Sequence, residues 1–328
     1  MELNDTGEIG IIGLGLMGSS IAAALLIHGQ KVIALSPVVS STDQAAPERI
    51  MGMLEEIHDE GLSNVSAKDL FQNVTFTMDY TDLASCWLVI ECVLESFEAK
   101  KAVFQKVECH ISHNAIIASN TSAIPISSLQ QLLSHPERFF GMHWASPAYT
   151  SGFLEIICGD HSSREIGAAL YAIAQKWGKS PTLVQKDIRG FISNRLMYAM
   201  YREAFYLVEN GYATIADVDR ACMQNGGQWM TFCGPFRFMD LTGLQAYHAV
   251  MQELFSELSN QDTVPRLIDD LAKAGGNGIS NGKGFYQYDL AETKKWETAF
   301  KEFSFDINRL SKKYAEKLDD SSSKESSK

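Results

Sequence analysis

The run Gly13-Leu-Gly15-Leu-Met-Gly18 constrains this chain more than any other, because of what flanks it. Glu8–Ile12 before it is an apolar run of strand length, and Ser19–Leu26 after it has helical spacing, halted at His28-Gly29. Strand, glycine turn and helix open an α/β, doubly wound parallel sheet of Rossmann type. In such a turn Gly13 permits the tight bend, Gly15 lets a pyrophosphate approach the backbone, and Gly18 lets the helix pack close to the strand. Glycine-rich turns are common, and a phosphate-free βαβ turn is the plain alternative. A second strand at Lys31–Leu35 favours a dinucleotide site formed by Gly13, Leu14, Gly15, Leu16, Met17 and Gly18.

One position departs from that pattern. An acidic residue is expected about 20 residues past the glycines to hold the adenosine ribose, but Leu35 is followed by Ser36 and Pro37. No arginine stands beside Ser36 to mark a 2′-phosphate site; Lys31 and Arg49 are the nearest cations in sequence. NAD is therefore the expected cofactor, with Ser36 at the ribose position. NADP stays open, through the serine-rich turn Ser40–Thr42.

A chain of 328 residues suggests two domains. Helices are expected at Arg49–Gly61 and Phe97–His110, and strands at Val74–Met78 and Leu88–Val93, the latter apolar enough to be buried on both faces. After a helix at Ser162–Trp177 and a strand at Pro181–Val184, strand-like alternation ends. The expected division is a Rossmann-type domain over 1–185, an all-helical domain over 186–316, and a disordered tail over 317–328. The helical part opens with Phe191–Glu209, which carries Asn194 in its first turn, and closes with a helix whose Trp296, Phe300, Phe303, Ile307 and Leu310 should dock into a core. The polar, acidic start and the lack of any apolar run near the roughly 18 residues of a membrane span point to a cytoplasmic protein. A net charge of −12 argues against nucleic acid or an anionic membrane as partner, leaving a small molecule. The six cysteines have neither metal nor redox spacing, and no metal is expected.

The stretch from Ala118 to Glu155 holds the candidate chemistry. A strand at Ala115–Ala118 runs into the polar knot Ser119-Asn-Thr-Ser122, a second at Arg138–Met142 delivers His143, and a third at Phe153–Ile157 contains Glu155 among apolar neighbours. An unpaired carboxylate there would be costly to bury. His143 is the nearest available partner, and a carboxylate holding an imidazole is the arrangement of a general base with its orienting group. A purely structural His–Glu pair is the alternative at this point.

With the glycine loop, Asn120-Thr-Ser122, Met142-His-Trp144 with Glu155, and Gly190-Phe-Ile-Ser-Asn194-Arg195 in that order, the chain resembles the 3-hydroxyacyl-CoA dehydrogenase family from about Ile9 to Tyr288. The resemblance implies that His143 is the catalytic base, Glu155 its partner, and Ser122 and Asn194 the contacts to the substrate oxygen. It implies that Glu95 and Lys100, spaced as E-x-x-x-x-K, lie beside the nicotinamide half of the cofactor, and that the protein is a homodimer. Departures concern the substrate. His143-Trp-Ala-Ser-Pro147 stands where H-F-F-N-P is usual, so Ser146 replaces an asparagine that contacts cofactor or substrate; Gly152 and Ser280 replace lysines found in some members.

The implied reaction is reversible oxidation of a short-chain 3-hydroxyacyl-CoA to its 3-oxo form. Bulky Trp144, Tyr149 and Phe153 in the His143–Glu155 loop favour a small acyl end, and Lys68, Lys100 and Lys101 are the candidate cations for the CoA phosphates. A dehydrogenase of a free hydroxy acid, of gulonate or carnitine type, and a non-catalytic crystallin-like scaffold are the alternatives.

Overall fold

The computed structural model describes residues 7–36 and 44–325, so the Ser40–Thr42 turn lies outside the described residues. Its strands are β1 Glu8–Ile12, β2 Val32–Leu35, β3 Val74–Thr77, β4 Cys86–Glu91, β5 Ile116–Ser119, β6 Phe139–Trp144, β7 Phe153–Cys158 and β8 Ser180–Val184. They form one sheet in the order β3-β2-β1-β4-β5-β6-β7-β8. All neighbours are parallel except β6 and β7. The strand order reverses between β1 and β4, the crevice where doubly wound sheets bind ligands.

Alternate residues of each strand feed two apolar clusters, one on each face. One gathers Ile11, Ile90, Phe140 and Trp144 under the glycine-loop helix Leu16–Leu26. The other gathers Val89, Phe139 and Phe191 with Phe104 of the helix Phe97–Glu108. Two glycines hold the first turn. Gly13 has φ +89°, and a Cβ there would sit 2.9 Å from the Cys92 backbone; a Cβ on Gly18 would sit 1.9 Å from the Gly13 oxygen. Any side chain at Gly18 would push the helix off β1.

The chain divides into two compact units, Met1–Asn194 and Arg195–Lys328, later than the 185/186 boundary the composition change suggests. Residues 186–194 stay with the first unit because they are bonded into it. The Ser127 amide donates to Asp187 at 2.7 Å, Phe191 is buried, and the Ile192 and Ser193 amides donate to Glu155.

The second unit is helical. Its Thr214 caps the helix Ile215–Ala221, with the Asp217 amide donating to the hydroxyl at 3.2 Å. Isolated bridges Gly278–Lys283 and Lys283–Gln287 interrupt the helices at the glycine-rich loop. The last helix, Leu290–Glu325, continues into the segment expected as a tail, carried by helix-favouring Lys, Ala, Glu and Leu around 312–318. Among the described residues, its aromatic stripe stays open where a core-docked face was expected. Trp296, Phe300 and Phe303 are 61, 62 and 58% exposed, whereas Phe305 is the buried ring. Among the described residues, no helix is long and apolar enough to cross a membrane.

Candidate active site

The glycine turn leaves room where a diphosphate would need it. Among the described residues, a Cβ built on Gly15 would meet nothing within 4 Å, and Gly15 also caps the helix Leu16–Leu26, whose free amides and dipole favour an anion. The residues therefore fit a dinucleotide. Leu14 is buried and its carbonyl is taken by the Ser19 hydroxyl (3.1 Å) and Arg49 Nη1 (2.9 Å), so it shapes the turn from beneath. Leu16 is exposed and Met17 half-buried. Arg49, which also donates to the Ser19 hydroxyl at 2.9 Å, brings a guanidinium to the loop. No local pattern marks it, because the contact spans 30 and more residues. Ser36 directly follows β2, its amide donating to the Thr77 carbonyl at 3.0 Å.

At the other end of the sheet, antiparallel pairing sets His143 directly opposite Glu155. Glu155 is the third residue of β7, not at its tip; reversal of the strand brings it to the edge where β6 ends. His143 Nδ1 lies 2.9 Å from Glu155 Oε2, with the carboxylate fully buried. The second oxygen, Oε1, accepts from the amides of Ile192 (3.1 Å) and Ser193 (2.9 Å). A carboxylate only accepts, so this contact fits a proton on Nδ1, the tautomer that in a neutral imidazole leaves the lone pair on Nε2. The rings of Phe153 and Phe191 flank the imidazole, each with its centroid 5.6 Å away.

Asn194 Nδ2 donates to the Ser122 carbonyl at 3.0 Å, which places these two candidate residues side by side. The Ser122 loop is held from below. Glu95 Oε1 accepts from the Thr121 hydroxyl (2.5 Å) and from the amides of Ser122 and Ala123 (3.0 Å each). Burial raises the Glu95 pKa, but the Thr121 hydroxyl and the Lys100 charge outweigh it, and the net shift is downward. Asn120 accepts from the Trp144 amide at 3.0 Å, tying the end of β5 to the end of β6.

Three expectations need correction. Lys100 is 1% exposed and donates to both oxygens of Glu91 at 2.9 Å, so its ammonium is held inside the protein and is not presented to CoA phosphates. Trp144 does not crowd the substrate, because neighbours on a strand face opposite sides: it joins the cluster beneath the glycine-loop helix and stacks on Trp177 at 6.3 Å. Tyr149 packs against that same cluster, and its burial, together with the charge and hydrogen bond of Glu56, raises its pKa. Of the three bulky residues, Phe153 alone reaches His143. Ser146 is exposed, before a cis peptide to Pro147. Lys68 is exposed and Lys101 half-buried. Among the described residues, no group of three or more His, Cys, Asp or Glu is placed to hold a metal ion.

Comparison with known proteins gives one answer over most of the chain. Residues 8–188 match the family profile "3-hydroxyacyl-CoA dehydrogenase, NAD binding domain", and residues 190–288 match its C-terminal domain. The 5-formyl-3-hydroxy-2-methylpyridine 4-carboxylate 5-dehydrogenase of Mesorhizobium japonicum is 35% identical over 289 residues, covering 88% of this chain and 92% of that one. A crystal structure of an enzyme of that name, described as an NAD+ dependent dismutase, superposes with a TM-score of 0.86 at 32% identity, covering 93% of this chain and 98% of that one. The (S)-3-hydroxybutyryl-CoA dehydrogenase of Ralstonia eutropha gives a TM-score of 0.71 at 29% identity, covering 86% and 99%.

Proposed function

Because the chain belongs to the 3-hydroxyacyl-CoA dehydrogenase family and is an NAD-binding oxidoreductase, we propose that it interconverts a hydroxyl and a carbonyl carbon of a short 3-hydroxyacyl-CoA, with His143 as the base. The observation that carries this is the fixed imidazole: Glu155 spends one oxygen on Nδ1 and the other on two backbone amides.

In the oxidative direction, Nε2 of neutral His143 takes the hydroxyl proton. Glu155 holds the ring orientation and balances the imidazolium that results. Ser122 and Asn194 hold the substrate oxygen where negative charge develops. Gly13, Gly15 and Gly18 with the helix Leu16–Leu26 hold the dinucleotide, and Ser36 its ribose. The cofactor, when bound, would accept the hydride as NAD+ in this direction and donate it as NADH in the reverse. His143→Gln is expected to lower turnover about 10²- to 10⁴-fold with NADH affinity unchanged; near-normal turnover would make the pair structural.

A second reading, a CoA-free hydroxy or oxo acid, is favoured by two observations. Lys100 is withdrawn from the CoA phosphates, and Ser146 replaces the asparagine usual in the acyl-CoA enzymes. The Mesorhizobium relative, named for a pyridine carboxylate aldehyde, adds weight to it. Following NADH absorbance against acetoacetyl-CoA, free 3-oxo acids and aromatic aldehyde acids separates the two: inhibition by free CoA supports the thioester, and turnover of free acids indifferent to CoA replaces it.

The partner of the helical unit is read as a second copy of this chain. None of its described helices from Ser193 to Lys273 has a buried residue, and the aromatic stripe of Leu290–Glu325 is exposed. A unit with so little core of its own needs a permanent apolar partner, and symmetric homodimers are the commonest solution.

A further inference from the structure

We propose that Ser20 and Lys179 are positioning residues that lock the loop after His143 to the helix of the glycine turn, holding the two halves of a hydride-transfer site at a fixed separation. The inference deepens the reading in which His143 is the base and the glycine turn holds the dinucleotide.

β6 ends at Trp144 and β7 begins at Phe153, so residues 145–152 join two adjacent antiparallel strands. Hairpin loops are ordinarily about two to five residues long, and a longer one needs contacts from outside to fix its path. Both ends bear on the base: only Trp144 separates the loop from His143, and Phe153, just past it, meets the imidazole edge to face at 5.6 Å. The fixing contacts come from two distant elements. Ser20, in the helix Leu16–Leu26 and 1% exposed, accepts from the Ala148 amide at 2.6 Å. Lys179, just before β8 and 8% exposed, donates from Nζ to the Ala148 carbonyl at 2.5 Å and to the Ser151 carbonyl at 2.6 Å. The same ammonium lies over the Trp144 ring, 5.3 Å from its centroid. Ala148 is thus gripped by its amide from the helix and by its carbonyl from the lysine. Tyr149 packs into the apolar cluster that includes that helix, and Ser146 is the one exposed residue of the loop.

Packing alone does not call for a lysine at this place. A methionine would lie along Trp144 without the cost of burying a charge. What an ammonium adds is several donors on one atom, enough to hold two carbonyls of the loop together. Ser20 follows Leu16 by about one helical turn. The helix therefore bears on the dinucleotide with its first amides and on the loop of the base one turn later. Hydride transfer requires the two reacting carbons to approach within about 3–3.5 Å, so a loop free to slide against this helix would lose that approach.

Two variants of the full-length protein test the lock. Ser20→Ala removes the acceptor with little change in volume, and Lys179→Met removes the donors at equal length. Ser20→Ala is expected to melt close to wild type and to bind NADH within about threefold of it. In a single turnover of bound NADH with acetoacetyl-CoA, the rate constant falls about 10-fold in Ser20→Ala and about 10- to 100-fold in Lys179→Met, the scale of a misplaced contact. The amplitude per folded molecule stays intact; a merely structural role would lower the amplitude and spare the rate constant. Amide hydrogen exchange at Ser151 and Phe153, bonded within the loop to the Pro147 carbonyl and the Ser151 hydroxyl, accelerates about tenfold or more. Wild-type rate constants in both variants, or unchanged exchange at both amides, would overturn the proposal. So would NADH bound about tenfold more weakly by Ser20→Ala at an unchanged rate constant, which would make Ser20 part of the dinucleotide site. If Lys179→Met does not fold, Ser20→Ala decides. If the wild type does not reduce acetoacetyl-CoA, the thioester reading has failed by itself, and the exchange at Ser151 and Phe153 alone decides the lock.

Discussion

Phe191 approaches His143 ring to ring at 5.6 Å from a backbone with φ +52°, a left-handed conformation that a bulky residue rarely adopts. With Gly190 at φ +80° it forms the bend that turns the next two amides onto Glu155. Strain held at such a place is a mark of a site that needs the geometry.

The bend gives a reversed ranking of substitutions. Burial of Phe191 means that Phe191→Ala costs about 3–5 kcal/mol. Phe191→Gly loses the same ring but relieves the left-handed backbone, so it is expected to be about 0.5–1 kcal/mol more stable than the alanine variant, the opposite of the usual order. Urea denaturation measures the difference. An alanine variant as stable as the glycine one would show that φ at this position is not constrained.

Gly15 and Gly18 separate ligand binding from folding. A methyl at Gly15 meets no described atom within 4 Å, so Gly15→Ala should melt like wild type without ligand, yet bind NADH about tenfold or more weakly because the methyl occupies the diphosphate's place. A Cβ at Gly18 would lie 1.9 Å from the Gly13 oxygen, so Gly18→Ala should lower the melting temperature of the ligand-free protein itself. Fluorescence titration and thermal melts read the two effects; equal behaviour of the two variants would contradict this division.

These glycines were legible because the motif is local, with strand, turn and helix contiguous in sequence. His143 and Glu155 were legible for a related reason, a polar residue in each of two neighbouring apolar runs. The inward turn of Trp144 follows from its position alone, since a residue adjacent to His143 on a strand must face the other way. Lys100 illustrates a different limit. Its spacing from Glu95 is visible, but its capture by Glu91 depends on which face of the sheet the helix covers, a tertiary fact. Phe191 belongs to a motif visible in the sequence, but nothing there marks its left-handed φ, which is ordinarily read from glycine or asparagine.

Glu95 predicts a dependence on pH. Its folded pKa is lowered from the ordinary 4.5, so near that pH the unfolded chain binds more protons than the folded one. Its contribution to stability is therefore fully present above about pH 4.5 and lost as the pH falls through the folded value. Glu95→Gln removes that proton linkage. The melting-temperature gap between wild type and variant should be widest near neutrality and shrink as the pH drops below 4.5. A gap constant from pH 7 to 4 would mean that Glu95 does not titrate differently in the fold.

The exposed stripe of the last helix makes the final prediction. Trp296, Phe300 and Phe303, at three- and four-residue steps and each more than half exposed, lie beyond residue 288, where the match to the family's C-terminal domain ends. If a second copy covers this face, Trp296→Glu/Phe300→Glu buries charge in the interface, and light scattering at micromolar concentration should read a dimer for wild type and a monomer for the variant. The glycine loop belongs to the other compact unit, so NADH binding should survive in the monomer. A wild-type protein that is monomeric at that concentration, or a variant that still dimerises, would show that the stripe is not the surface joining two copies.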